Sequence, residues 1–139
     1  MANDWMQRTI DEFHARRGLG IAPWGDNLLL LTAKGARTGA LHTTPAVYRR
    51  RGDDLIVVAS KGGYPGDPRW YRNLLVNPEA DVEVAAMNGT KHVRVRARAV
   101  PDGPEHDELY AYMTEVWPAF ADYQAKADRI IAVVVLTPI

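Results

Sequence analysis

Apolar and polar positions follow two rhythms along this chain, and glycine, proline and aspartate mark the changes between them. From residue 4 to 17 the spacing is helical: Trp5, Met6, Ile10 and Phe13 share one face, and Gly18 ends the run. A Pro/Gly connector at 21–26 leads to a short apolar strand, Leu28-Leu29-Leu30-Leu31-Thr32. A turn with two glycines, 34–39, separates it from a second strand over 41–49, in which Pro45 marks an edge or bulge. Another turn, 51–54, precedes a third strand at 55–60. A short helix over 68–76 stops at Asn77-Pro78. Val82 to Ala86 reads as a strand and Asn88-Gly89 as a hairpin turn. The return strand, His92 to Val100, alternates strictly, with Val93, Val95, Ala97 and Ala99 on one face and Arg94, Arg96 and Arg98 on the other. A period of two implies one buried and one wet face. Residues 104–127 read as helical with a break at Pro118, and Ile130 to Leu136 as a closing strand. About six strands joined by antiparallel hairpins, with helices between them, predict an α+β fold built on a small closed or split barrel. A doubly wound sheet is disfavoured, because strands and helices do not alternate regularly.

At 139 residues the chain is one domain's worth. Residues 1–20 are expected to be a helix within the same unit, and 21–139 a cofactor-binding barrel. The formal net charge is zero, so no overall field attracts nucleic acid or acidic lipid. The arginine row at 94–98 reads as a solvated strand face, since no aromatics interleave with it. Absence of cysteine excludes disulfides, thiolate metal sites and cysteine nucleophiles. No apolar run reaches the ~18 residues of a membrane span, and no signal peptide is visible. A cytoplasmic protein is the expectation. The N-terminal helix has two readings: packed on the domain, or touching the inner face of the cell membrane through a surface flanked by Arg8, Arg16 and Arg17.

Candidate chemistry concentrates after the third strand. Leu55 to Ala59 runs into Ser60-Lys61-Gly62-Gly63 and then Asp67-Pro68-Arg69-Trp70-Tyr71-Arg72-Asn73-Leu74. Two glycines allow close backbone approach to a ligand. Asp67 is expected to cap the helix, with Pro68 in its first turn. A helix start and Lys61 suit an anion, and Trp70 or Tyr71 offers a flat face. Together they suit a phosphorylated, ring-bearing cofactor; the alternative is a surface loop before a helix whose tryptophan is core. His14, His42, His92 and His106 show no metal-binding spacing. No nucleophile motif or phosphate-loop motif is present. Such a chain suits chemistry carried by a bound cofactor.

Lys34-Gly35-Ala36-Arg37-Thr38-Gly39, Ala59 to Gly63, Pro68 to Leu74, Asn77-Pro78, Asp122-Tyr123-Gln124 and Asp128-Arg129 occur in an order that resembles the deazaflavin-dependent nitroreductase and quinone reductase family of actinobacteria. The resemblance runs from about residue 27 to the C-terminus. It implies a split β-barrel that binds coenzyme F420 and passes a hydride to a small hydrophobic acceptor: a quinone, nitroaromatic or activated enone. By the resemblance, Arg37, Thr38 and His42 face the anionic tail, and Thr44, Pro45 and Ala46 lie along the ring. Ala59, Ser60 and Lys61 hold the ring edge and phosphate, and Arg69, Trp70, Tyr71 and Asn73 close the other side. Val47, Trp117, Phe120 and Tyr123 occupy positions that are substrate-pocket tyrosines elsewhere in the family, and only Tyr123 keeps the hydroxyl. Tyr48, one residue on from Val47, aims at the opposite face. The chain departs from the family where Ala36 replaces one of a basic pair and where His42 replaces a common arginine. Solvent, Tyr123 and Ser60 are the candidate proton sources. An FMN-binding split barrel and a non-catalytic F420 carrier are the alternatives, and the protein is expected to act as a monomer or homodimer.

Overall fold

A computed structural model describes residues 4–61 and 66–139. The described residues form α1 (Asp4–Ala15), β1 (Leu28–Lys34), β2 (Leu41–Arg51), β3 (Asp54–Val58), α2 (Arg69–Val76), β4 (Glu79–Ala86), β5 (Gly89–Val100), α3 (Pro104–Thr114), α4 (Ala119–Lys126) and β6 (Val133–Pro138). The strands close into a barrel in the order β1-β2-β3-β6-β5-β4, every pair antiparallel. The expected α+β barrel is therefore present.

Burial on both faces explains the continuous apolar runs. Leu29 and Leu31 enter the barrel interior with Val57, Val82, Val95 and Leu136. Leu28 and Leu30 point outward, beneath Phe13 of α1 and Ile21. In β6, Val134 and Leu136 face inward, while Val133 and Val135 meet Leu109 and Met113 of α3. The inward row of β5 alternates as its sequence implies. Its arginines face neighbouring acids: Arg96 lies 2.9 Å from Glu79, and Arg98 2.9 Å from Glu105. Trp70, Tyr71 and Leu74 of α2 join the interior cluster.

The helical stretch at 104–127 is two helices with Pro118 capping the second, the break its sequence implies. Two boundaries differ from the sequence reading. The third strand stops at Val58 rather than residue 60. Ala86 pairs with Gly89, so the hairpin turn falls on Met87 and Asn88, one residue early.

Closure leaves β2 partly unpaired. β2 pairs with β1 from Leu41 to Val47, but with β3 only from Tyr48 to Arg51. The first half of β2 therefore carries a free edge, and Pro45, which has no N–H to donate, sits in it. No helix among the described residues is long and apolar enough to cross a membrane.

Candidate active site

A cavity of about 530 Å³ opens along this free edge. β2 contributes Thr44, Pro45, Ala46 and Val47; the chain leaving β3 contributes Ser60 and Lys61; α2 contributes Arg69 and Trp70. Trp117, Phe120 and Tyr123, from α4 and the turn before it, supply another wall. Tyr48 instead lies inside the barrel, as strand alternation requires.

Other expected site residues stand behind or beside the cavity. Ala59 is fully buried, and its N–H donates to the Ala132 carbonyl at 2.9 Å. Tyr71 packs in the interior; burial first and the Asp67 charge second raise its hydroxyl, with Arg129 opposing. Asn73 is buried, and its Oδ1 accepts the Ala36 N–H at 3.0 Å, which pins the β1–β2 turn to α2. Arg37, Thr38 and His42 are exposed on and just after that turn, outside the cavity lining. The Thr38 hydroxyl accepts the Ala40 N–H at 3.2 Å.

The cap at Asp67 is a correction. Pro68 occupies the N-cap position, with no side-chain cap bond. The Tyr71 N–H takes the Pro68 carbonyl at 3.1 Å, and the Asp67 carboxylate turns to Arg129, 3.4 Å away. Opposite charge outcompetes capping here. Gly62 and Gly63 lie outside the described residues.

Trp5 and Met6 of α1, Trp24 of the connector, Leu28, Val58 and Pro68 also line the cavity. Sequence reasoning did not place them there. Trp5 and Trp24 meet edge to face, 6.0 Å between ring centroids. Helical periodicity marks Trp5 as apolar-facing, but it says nothing about what it faces.

The cavity lining combines two chemistries. Lys61 and Arg69, both exposed, bring cationic side chains to it. The α4 side is aromatic, and its polar feature is a pair: the Trp117 indole N–H donates to the Tyr123 hydroxyl at 3.4 Å. Phe120 is 4% exposed and belongs to the core packed under α3 and α4 as well as to the wall. Its carbonyl accepts the Tyr110 hydroxyl at 2.6 Å, and burial pushes that hydroxyl's pKa up to about 12. A volume in the usual small-molecule range, apolar walls for a ring and cations for a phosphate all fit a flat phosphorylated cofactor.

A family profile described as F420H(2)-dependent quinone reductase matches residues 5–138. The chain belongs to this family. An F420H(2)-dependent quinone reductase of Mycobacterium tuberculosis is 40% identical over 111 residues, covering 78% of this chain and 72% of that protein. A solved F420-H2-dependent reductase superposes with a TM-score of 0.68 at 32% identity, covering 79% of this chain and 93% of that one. A second solved structure, described as a domain-swapped dimer, gives a TM-score of 0.72 at 29% identity over 98% of this chain and 99% of that one. This quinone reductase family member is thus an oxidoreductase dependent on coenzyme F420, and the FMN alternative finds no support.

Proposed function

We propose that the cavity holds F420H2 against the β2 edge and α2, with a flat hydrophobic quinone beneath α4. F420H2, when bound, supplies a hydride to the acceptor. The observation that carries this reading is that cationic and aromatic side chains line one cavity. Lys61 and Arg69 hold the phosphate, and Trp70 gives the ring a face. The backbone of Thr44 to Ala46, paired with β1 on one side and with no strand on the other, meets the ring's polar rim along that open side. Arg37, Thr38 and His42 lie outside the lining and serve the anionic tail. Val47, Trp117 and Phe120 exclude water from the acceptor. Tyr123 donates the proton, with Ser60 as a second candidate on the cavity lining. Orientation and proximity carry most of the rate.

Fluorescence titration with oxidised F420 and with FMN tests the reading. Tighter F420 binding that weakens with salt is expected; equal or tighter FMN binding overturns it. Cytoplasmic location, the monomer-or-dimer state and a peripheral membrane contact belong to the same reading. A homodimer draws support from the domain-swapped relative, and light scattering tests it. A membrane contact would rest on Trp5 and Leu19, since Phe13 is spent on the barrel. Co-sedimentation with anionic vesicles tests that contact.

A further inference from the structure

The reading above gives Arg129 no task, yet its surroundings are unusual. It lies in the turn between α4 and β6, its side chain 22% exposed. Its Nη2 donates to the Gly66 carbonyl. Its Nη1 sits 3.4 Å from the Asp67 carboxylate but out of hydrogen-bond alignment, and both Nη1 and Nε are buried without a hydrogen-bond partner among the described residues. The turn itself is bound to α4: Gln124 donates through Nε2 to the Arg129 carbonyl at 2.7 Å and accepts the Ile131 N–H through Oε1 at 2.9 Å. The guanidinium therefore bridges the helix that carries Phe120 and Tyr123 to the two residues immediately before Pro68 and Arg69.

Stability alone does not account for this arrangement. Burying guanidinium donors without acceptors costs free energy, and an imperfectly aligned ion pair recovers little of it. What a guanidinium offers here is direction, because its planar fork can grip a carbonyl and a carboxylate on one backbone segment at once. Lysine has the charge without the fork.

We propose that Arg129 is a positioning residue for the cofactor end of the cavity. It fixes Gly66 and Asp67, and so the entry to α2, relative to α4, so that Arg69 and Trp70 face Phe120 and Tyr123 across one space. This rests on the proposed function, in which those two walls hold the cofactor and acceptor.

The test is F420 affinity by fluorescence titration, with no acceptor present, alongside the melting temperature. Arg129→Ala is expected to weaken F420 binding tenfold or more, and Arg129→Lys to recover only part of it. Millimolar guanidinium ion is expected to restore affinity to Arg129→Ala while leaving wild type and Lys61→Ala unmoved, a rescue that a merely stabilising residue would not show. If Arg129→Ala does not fold, Arg129→Lys and Asp67→Asn carry the comparison, each expected to bind less tightly than wild type. Variants that melt lower yet bind F420 like wild type at temperatures where they are folded overturn the proposal. Wild type that fails to bind F420 overturns the proposed function as well, so the two failures are distinct.

Discussion

Tyr123 is the hydroxyl that the proposed function places on the acceptor side, and its partner decides where its proton points. An indole N–H can only donate, so Trp117 occupies a lone pair of the Tyr123 oxygen and leaves the O–H free to turn toward the cavity. Tyr123→Phe is expected to lower kcat while leaving F420 affinity unchanged. Trp117→Phe keeps the wall, removes the donor, and is expected to lower kcat by less. Steady-state kinetics beside a binding titration separates the effects; a Tyr123→Phe enzyme with wild-type kcat removes the residue from proton delivery. Phe120 behaves differently because it is both wall and core. Phe120→Ala is expected to cost about 3–5 kcal/mol in denaturant unfolding. Lys61 is exposed, so Lys61→Ala is expected to leave the melting temperature alone and weaken F420 binding roughly tenfold. Wild-type affinity in that variant would make Lys61 an ordinary surface lysine. Resemblance made these residues legible. It did not separate cavity-lining Trp70 from Asn73, whose amide serves a turn 37 residues away, because a motif records which residues recur and not what each one touches.

At the level of elements, α1 shows what periodicity leaves out. Its apolar face was readable, but its place in the cavity depends on contacts distant in sequence. Phe13 is fully buried, and the His14 Nε2 lies 2.9 Å from Glu83 of β4. Glu83 is also bound by Thr90 and lies 3.8 Å from His92, which in turn bonds Asp81 at 2.7 Å. Burial raises the Glu83 carboxyl, but the hydrogen bonds from Thr90 and His14 and the charges of His14 and His92 outweigh it, leaving it below its ordinary 4.5. The Asp81 bond raises His92 above its ordinary 6.5; burial opposes this, and the charges of Asp81 and Glu83 add to it. A depressed carboxylate stabilises above its ordinary value and loses that contribution as pH falls through its folded value. A raised histidine stabilises below its ordinary value and loses that contribution as pH rises through its folded value. The two windows overlap between 4.5 and 6.5, where α1 is expected to be held most firmly. Melting temperature and tryptophan emission followed from pH 4 to 9 check this. His92→Ala is expected to flatten the alkaline limb and, because its charge also helps hold the Glu83 carboxyl down, to soften the acid limb slightly; Glu83→Gln is expected to cost about 1.5–3 kcal/mol inside the window. Stability that rises steadily from 6.5 to 8 in wild type would contradict the account.

For the whole molecule, the barrel matters as a device that pairs most of its strand edges and leaves the first half of β2 open beside the cavity. Strand alternation in β5 and the double-sided runs of β1 and β6 announced a closed sheet. The β1–β4 pairing that completes it, Leu30 opposite Glu83, joins segments some fifty residues apart and leaves no local mark. The half-unpaired β2 was signalled only by Pro45. That gap is where α2, α4 and the β2 edge meet around one cavity, so a ligand there touches elements that otherwise share few contacts. Binding to the folded state alone should stabilise the whole chain by mass action, by about 2.7 kcal/mol at a hundred times Kd. For a domain of this size that corresponds to a rise in melting temperature of roughly 10 °C. F420 is expected to produce such a shift, and FMN at equal concentration a much smaller one. Raising the salt should shrink the F420 shift, because exposed cations supply part of its affinity. Arg129→Ala, binding tenfold or more weakly, should lose about half of the shift or more even where its ligand-free melting temperature stays near wild type. A shift that FMN reproduces in full would mean that the longer anionic tail of F420 adds nothing, and one that salt leaves untouched would mean that ring stacking alone holds the ligand and that Lys61 and Arg69 contribute nothing.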